Sequence, residues 1–201
     1  MLKLTSIRAG IAALATAVAM TASTFMAPAT AKAEEVYVLR GAFDVFSAGM
    51  NQMTRRMQAR GINAHAYSNG RWSGLAADII ARHKQGRVSF PIVILGHSVG
   101  GQEASAMANK LGQAGVPVAL VVGFDPGFAA PQPFRYGSPR VVNFYIPNQP
   151  RGNPYRSATG FGGSINNVDI TRFTHADHVA IDKDPQVQAR ALSVVYAAVG
   201  K

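Results

Sequence analysis

Short apolar runs alternate with longer stretches of helical period along most of this chain. Val36 to Leu39 is a brief β-branched and apolar run ended by Gly41, which predicts a strand. From Asp44 to Gly61 the methionines at 50, 53 and 57 recur on one helical face, and Gly61 stands where a helix would stop. Ala64 to Ser68 predicts a second strand closed by the turn pair Asn69-Gly70, and Ser73 to Gln85 a helix ending at Gly86. Pro91 to Leu95 carries Ile92, Val93, Ile94 and Leu95 without a break, the pattern of a strand buried on both faces inside a parallel sheet. An Ala-rich helix from Gly101 to Ala114, a buried strand from Val116 to Phe124, a strand from Arg140 to Tyr145 and a helix from Pro185 to Val199 complete the rhythm. The expectation is an α/β three-layer sandwich, with a mainly parallel five-stranded sheet and helices on both faces.

Two stretches fit neither period: Pro126 to Pro139 and Pro147 to about Ile165, both rich in Pro, Gly and Asn. Each holds aromatics, Phe128, Phe134 and Tyr136 in the first and Tyr155 and Phe161 in the second. Both follow strands, which places them at the sheet end where ligand loops gather in α/β folds. The three methionines read as core.

The first 33 residues read as an export signal. Lys3 and Arg8 give a positive start, an Ala-rich apolar run extends from Ala9 to about Met26, and Ala31-Lys32-Ala33 has the small-x-small spacing of a cleavage site. Cleavage after Ala33 leaves one domain, residues 34 to 201, in the periplasm or secreted. The alternative, an uncleaved anchor, sits poorly with a run built from Ala and Thr in place of Leu and Ile. No second apolar stretch of that length follows.

Charge and cysteine count narrow the classes. Of 20 Lys and Arg, three (Lys3, Arg8 and Lys32) lie in the leader, so 17 face 10 Asp and Glu in the remainder. The arginines are scattered without aromatic interleaving, which argues against a nucleic-acid partner. They read as a solvated surface, with weak attraction to an anionic surface or acidic substrate as the alternative. With no cysteine there is no disulfide, no thiolate metal site and no cysteine nucleophile.

The chemistry concentrates at Gly96-His97-Ser98-Val99-Gly100. A serine hydroxyl is a poor nucleophile unless it is exposed, held beside a base and placed where N–H groups can receive the oxyanion that forms. The Gly-x-Ser-x-Gly turn supplies this, since its glycines remove Cβ atoms where strand and helix crowd together. A buried strand before it and a helix after it give the pattern its weight. The spacing fits neither the dinucleotide fingerprint nor a P-loop.

A base and an acid should follow in chain order. His178, in Asp177-His178-Val179-Ala180-Ile181-Asp182, is the favoured base and His175 its alternative. Asp125, ending an apolar strand before Pro126, is the favoured acid, with Asp169 in reserve. His65 and His83 read as surface side chains, and His97 should point away from the site. Oxyanion donors are expected from the backbone of Val99, at the helix start, and of Ala42, in the turn Arg40-Gly41-Ala42-Phe43.

These segments, together with Ile94-Leu95, Val122-Gly123-Phe124-Asp125-Pro126 and His178 to Lys183, resemble the α/β-hydrolase superfamily. The likeness is narrower to small, signal-bearing bacterial members of the lipase and thioesterase kind. The resemblance spans nearly all of residues 34 to 201. It implies a Ser98, Asp125 and His178 triad that forms an acyl-enzyme from a small-molecule or lipid ester or thioester, with no metal and no cofactor. Two departures stand out. Arg40-Gly41 replaces the His-Gly of many relatives, and the segment between later strands shrinks to Pro126 through Pro139, which implies an open cleft suited to short or extended acyl groups.

Overall fold

The computed structural model describes residues 33–42, 47–137, 139–149 and 153–201. The leader reading and the expected start of the first helix at residues 44 to 46 lie outside them. Over the described residues the strands are β1 (Glu35–Leu39), β2 (Ala64–Tyr67), β3 (Ile92–His97), β4 (Leu120–Phe124), β5 (Arg140–Tyr145) and β6 (Ser164–Asp169). The helices are α1 (Ala48–Gln58), α2 (Trp72–Lys84), α3 (Val99–Gln113) and α4 (Pro185–Val199). The strands form one sheet in the order β2-β1-β3-β4-β5-β6, and every neighbouring pair is parallel. The chain builds outward from β1 to β2 and then crosses to β3 on the other side. Strand order therefore reverses between β1 and β3, where open α/β sheets leave a crevice at the carboxyl ends.

Side chains of successive strand residues divide between two faces. Val36 and Val38 of β1, with Val93 and Leu95 of β3, pack under α1 and α4 against Met50, Met53, Met57, Val187 and Leu192. Tyr37 and Leu39, with Ile92 and Ile94, face α2 and α3 through Ile79, Met107 and Leu111. The methionines are fully buried, each burial stabilising the fold by roughly 1.5–3 kcal/mol. Helix α4 is set by its ends: Asp184 accepts from the Gln186 and Val187 N–H groups, Pro185 opens the first turn, and Gly200 closes it at φ 71°.

The sheet has six strands where the apolar pattern gave five. Strand β6 is Ser-Ile-Asn-Asn-Val-Asp, too polar to show as a strand, and it lies at the sheet edge with mostly half-buried or exposed residues. Its neighbours also differ from the expected form, because the connections β4 to β5 and β5 to β6 contain no helix among the described residues. They cover the sheet with aromatics instead. Phe134 and Tyr155, both buried, meet edge-on at 5.2 Å and extend the core beneath α2 and α3. Boundaries shift as well: α3 begins at Val99 in place of Gly101, and β4 begins only at Leu120, after Pro117, which lacks a ladder donor. Among the described residues no helix is long and apolar enough to cross a membrane.

Candidate active site

Ser98 sits between β3 and α3 in a conformation few side chains adopt, with φ 55° and ψ −120°. The two flanking glycines make that turn buildable. A Cβ on Gly96 would fall 2.1 Å from the Gly100 carbonyl oxygen, and one on Gly100 would fall 2.3 Å from that of Leu39. The turn is tied down by Ser98 N–H, which donates to the Phe124 carbonyl at 3.0 Å. Positive φ on a non-glycine residue costs of order 1–3 kcal/mol, so the surrounding bonds hold the serine there against its own preference.

Around Ser98 the chain brings together side chains far apart in sequence. His178 Nε2 lies 2.9 Å from Ser98 Oγ, and His178 Nδ1 lies 2.7 Å from Asp125 Oδ2. The carboxylate only accepts, so Nδ1 carries the proton and the bare Nε2 accepts from the serine hydroxyl. Asp125 is fully buried at the end of β4 with φ 44°, and its other oxygen accepts the Ile146 N–H at 3.0 Å. Both carboxylate oxygens are thus engaged, which fixes the face it shows to the histidine. His178 comes from the loop before α4, among turns held by Asp177 Oδ1, which accepts from the Val179 and Ala180 N–H groups.

The expected oxyanion donors flank this row. Val99 is the first residue of α3. Ala42 follows Gly41, whose Cβ, if present, would lie 3.2 Å from the Ser98 Cβ, so the turn after β1 abuts the nucleophile. Gly41 N–H is already spent on Ser47 Oγ at 2.8 Å, so it is not the free donor of this turn. On the other side Gly127 presses on the histidine: a Cβ there would come 2.8 Å from His178 Cε1 and 3.4 Å from Ser98 Oγ. Gln102 donates to the carbonyls of Gly127 and Ala129 and so brackets Phe128, which stands at φ 73° and is 62% exposed. With the exposed Val179 it gives the site an apolar rim.

No protein-family model and no curated protein matches the chain. Solved structures do. A protein assigned as a dienelactone hydrolase from Klebsiella pneumoniae is 12% identical, with 86% of this chain and 89% of that one covered at a TM-score of 0.54. The type II thioesterase BorB from the borrelidin biosynthetic cluster is 11% identical, with 88% and 95% covered at 0.51. The RedJ thioesterase of Streptomyces coelicolor is 12% identical, with 86% and 87% covered at 0.50. The chain has the α/β-hydrolase fold.

Within that fold the remaining candidates fall elsewhere. His175 is exposed three residues before His178. Asp169 ends β6 and turns its carboxylate to Thr171, accepting from its N–H at 2.9 Å and its hydroxyl at 2.7 Å. These bonds, the hydroxyl's first, hold its pKa below the usual carboxylate range. His65 is exposed on β2, and half-buried His83 meets Phe90 edge-on. His97 does point away from Ser98, as its place on β3 requires, yet it is 1% exposed and hydrogen-bonded on both ring nitrogens. Ser47, Gln102 and Gly127 also reach the site and carry no signal in the sequence, apart from Gln102, which follows the glycine motif directly.

Proposed function

We propose that this α/β-hydrolase-fold protein is an exported serine hydrolase that cleaves carboxylic ester or thioester bonds through an acyl-enzyme on Ser98. One observation carries the reading: the unbroken hydrogen-bond row from Asp125 through His178 to Ser98, with proton positions that leave Nε2 free to act as base. His178 takes the hydroxyl proton as Ser98 Oγ attacks the acyl carbon. The carbonyl oxygen becomes an oxyanion received by the Val99 and Ala42 N–H groups. The intermediate collapses as His178 Nε2–H hands its proton to the departing alcohol or thiol. A water, deprotonated by the same nitrogen, then releases the acid and restores Ser98. Asp125 keeps its charge throughout and stabilises the imidazolium.

An acyl substrate is further supported by the apolar rim of Phe128 and Val179, and thioesterases and hydrolases are among the proteins that share the fold. The test is fluorophosphonate labelling of the folded protein beside Ser98→Ala and His178→Ala, followed by p-nitrophenyl esters of increasing acyl length. Labelling lost in both variants is expected. No labelling of the unaltered protein would move the assignment to a binding protein on a hydrolase fold. Added acceptor alcohols separate hydrolysis from acyl transfer by their products. N-terminal sequencing of protein recovered outside the cytoplasm, expected to begin at Glu34, tests export.

A further inference from the structure

His97 is a buried polar side chain that the triad chemistry leaves unused, and its contacts reach both halves of the site. Its Nε2 lies 2.9 Å from the carbonyl oxygen of His178, and its Nδ1 lies 2.9 Å from Ser47 Oγ. Ser47 Oγ in turn accepts the Gly41 N–H at 2.8 Å. Proton positions along this chain are forced. A carbonyl only accepts, so Nε2 carries the ring proton; the bare Nδ1 accepts the Ser47 hydroxyl; and the Ser47 oxygen is left to accept from Gly41. The chain has one direction and one tautomer.

We propose that His97 is a positioning residue, joining the His178 backbone to the Gly41-Ala42 turn through this single directed hydrogen-bond chain. The inference rests on the triad reading above and adds to it a group that never touches substrate. His178 belongs to no helix or strand, so two fixed points are needed to set its imidazole. Asp125 fixes the ring at Nδ1, and His97 fixes the main chain behind it. The far end of the same chain holds Gly41, and with it the turn whose Ala42 N–H is the oxyanion donor of the triad reading. Base and oxyanion turn are thereby held to one frame, which matters because a displacement of about 1 Å at such a site costs about 100-fold in rate. Burial also holds the His97 pKa down to about 4, so the ring stays neutral beside the imidazolium that His178 becomes.

Two substitutions divide the chain. The amide nitrogen of glutamine takes roughly the place of Nε2, so His97→Gln keeps the bond to the His178 carbonyl. The amide oxygen of asparagine takes roughly the place of Nδ1, so His97→Asn keeps only the bond from Ser47. With p-nitrophenyl esters, His97→Gln, which keeps the base's anchor but cuts the link to Ser47, is expected to lose about tenfold in kcat, as Ser47→Ala does. His97→Asn is expected to lose about 30-fold to 100-fold in kcat with KM changed less than twofold, and to label more slowly with fluorophosphonate. Equal kcat in the two folded variants, high or low, would overturn the proposal. Ser47→Ala keeps the test open should His97→Asn fail to fold: a kcat loss of about tenfold at unchanged KM is expected, and an unchanged kcat overturns it. Absence of labelling in the unaltered protein would instead overturn the triad reading itself, so the two failures are distinguishable.

Discussion

Ser98 holds its place at φ 55° against a backbone preference that glycine lacks. Ser98→Gly should therefore be inactive and yet more stable than the unaltered protein, by about 1 kcal/mol in urea denaturation. Asp125→Asn keeps the shape of the site but cannot hold the same histidine tautomer, and kcat should fall by about 10⁴-fold. Gly127→Ala drives a methyl group against His178 Cε1, and a loss of about 100-fold in kcat with a nearly unchanged denaturation midpoint is expected. Ser98 and Asp125 were legible in the sequence because each sits where a buried apolar run breaks off, and His178 because it is a late histidine just before the last helix. Ser47 and His97 were not legible as partners, since they lie 50 residues apart and His97 meets the carbonyl of a residue 81 positions on. Nothing local in either segment marks such a contact.

The segments that escaped the sequence are those held in place by polar side chains. Asn167 on β6 accepts from the Tyr155 N–H at 2.9 Å and from Asn143 Nδ2 at 2.9 Å, and donates to the Tyr155 carbonyl at 3.0 Å. The Tyr155 hydroxyl reaches across to the Gly101 carbonyl at 2.6 Å, and Asn153 donates to the Pro126 carbonyl. One irregular connection thereby ties the edge strand to the first turns of α3 and to the residue after Asp125. Asn167→Ala leaves several half-buried groups unpaired and should cost about 3 kcal/mol, whereas Tyr155→Phe should cost about 1 kcal/mol, both read by urea denaturation. The β1 to β5 strands and the four described helices follow from apolar period, β5 with the bounds expected and most others with ends moved by a few residues. Strand β6 and the helix-free crossovers do not, because Asn side chains replace the apolar stripe that periodicity detects.

Across the whole molecule two buried groups oppose each other with pH. His97 is held down at about 4 from 6.5 by burial, so the unfolded chain binds the extra proton between these values and stability is lost as pH falls through them. Asp182 caps α1 through the Met50 N–H at 3.1 Å, and its burial raises it from 3.8 to about 6. There the folded chain binds the extra proton, so stability is gained as pH falls through 6 and lost as pH rises. Each is worth about 3 kcal/mol, and between pH 4 and 6 they nearly cancel. Asp182→Asn should uncover the histidine, losing about 3 kcal/mol more than the unaltered protein between pH 6.5 and 4 in urea denaturation at each pH. Glu35, which Arg82 grips at 2.8 Å, is present in both proteins and drops out of the difference. A sheet whose neighbours are all parallel has a different consequence in time. Among the described residues no hairpin exists to form first, and even β5 and β6 join Arg140 to Ser164 only after the connection between them has closed. Chain closure must precede any reward from pairing, so refolding should take milliseconds to seconds where helical bundles of similar stability take microseconds to milliseconds. Trp72, the single tryptophan, packs against the core beneath α3 and gives stopped-flow fluorescence a reporter for that slow assembly.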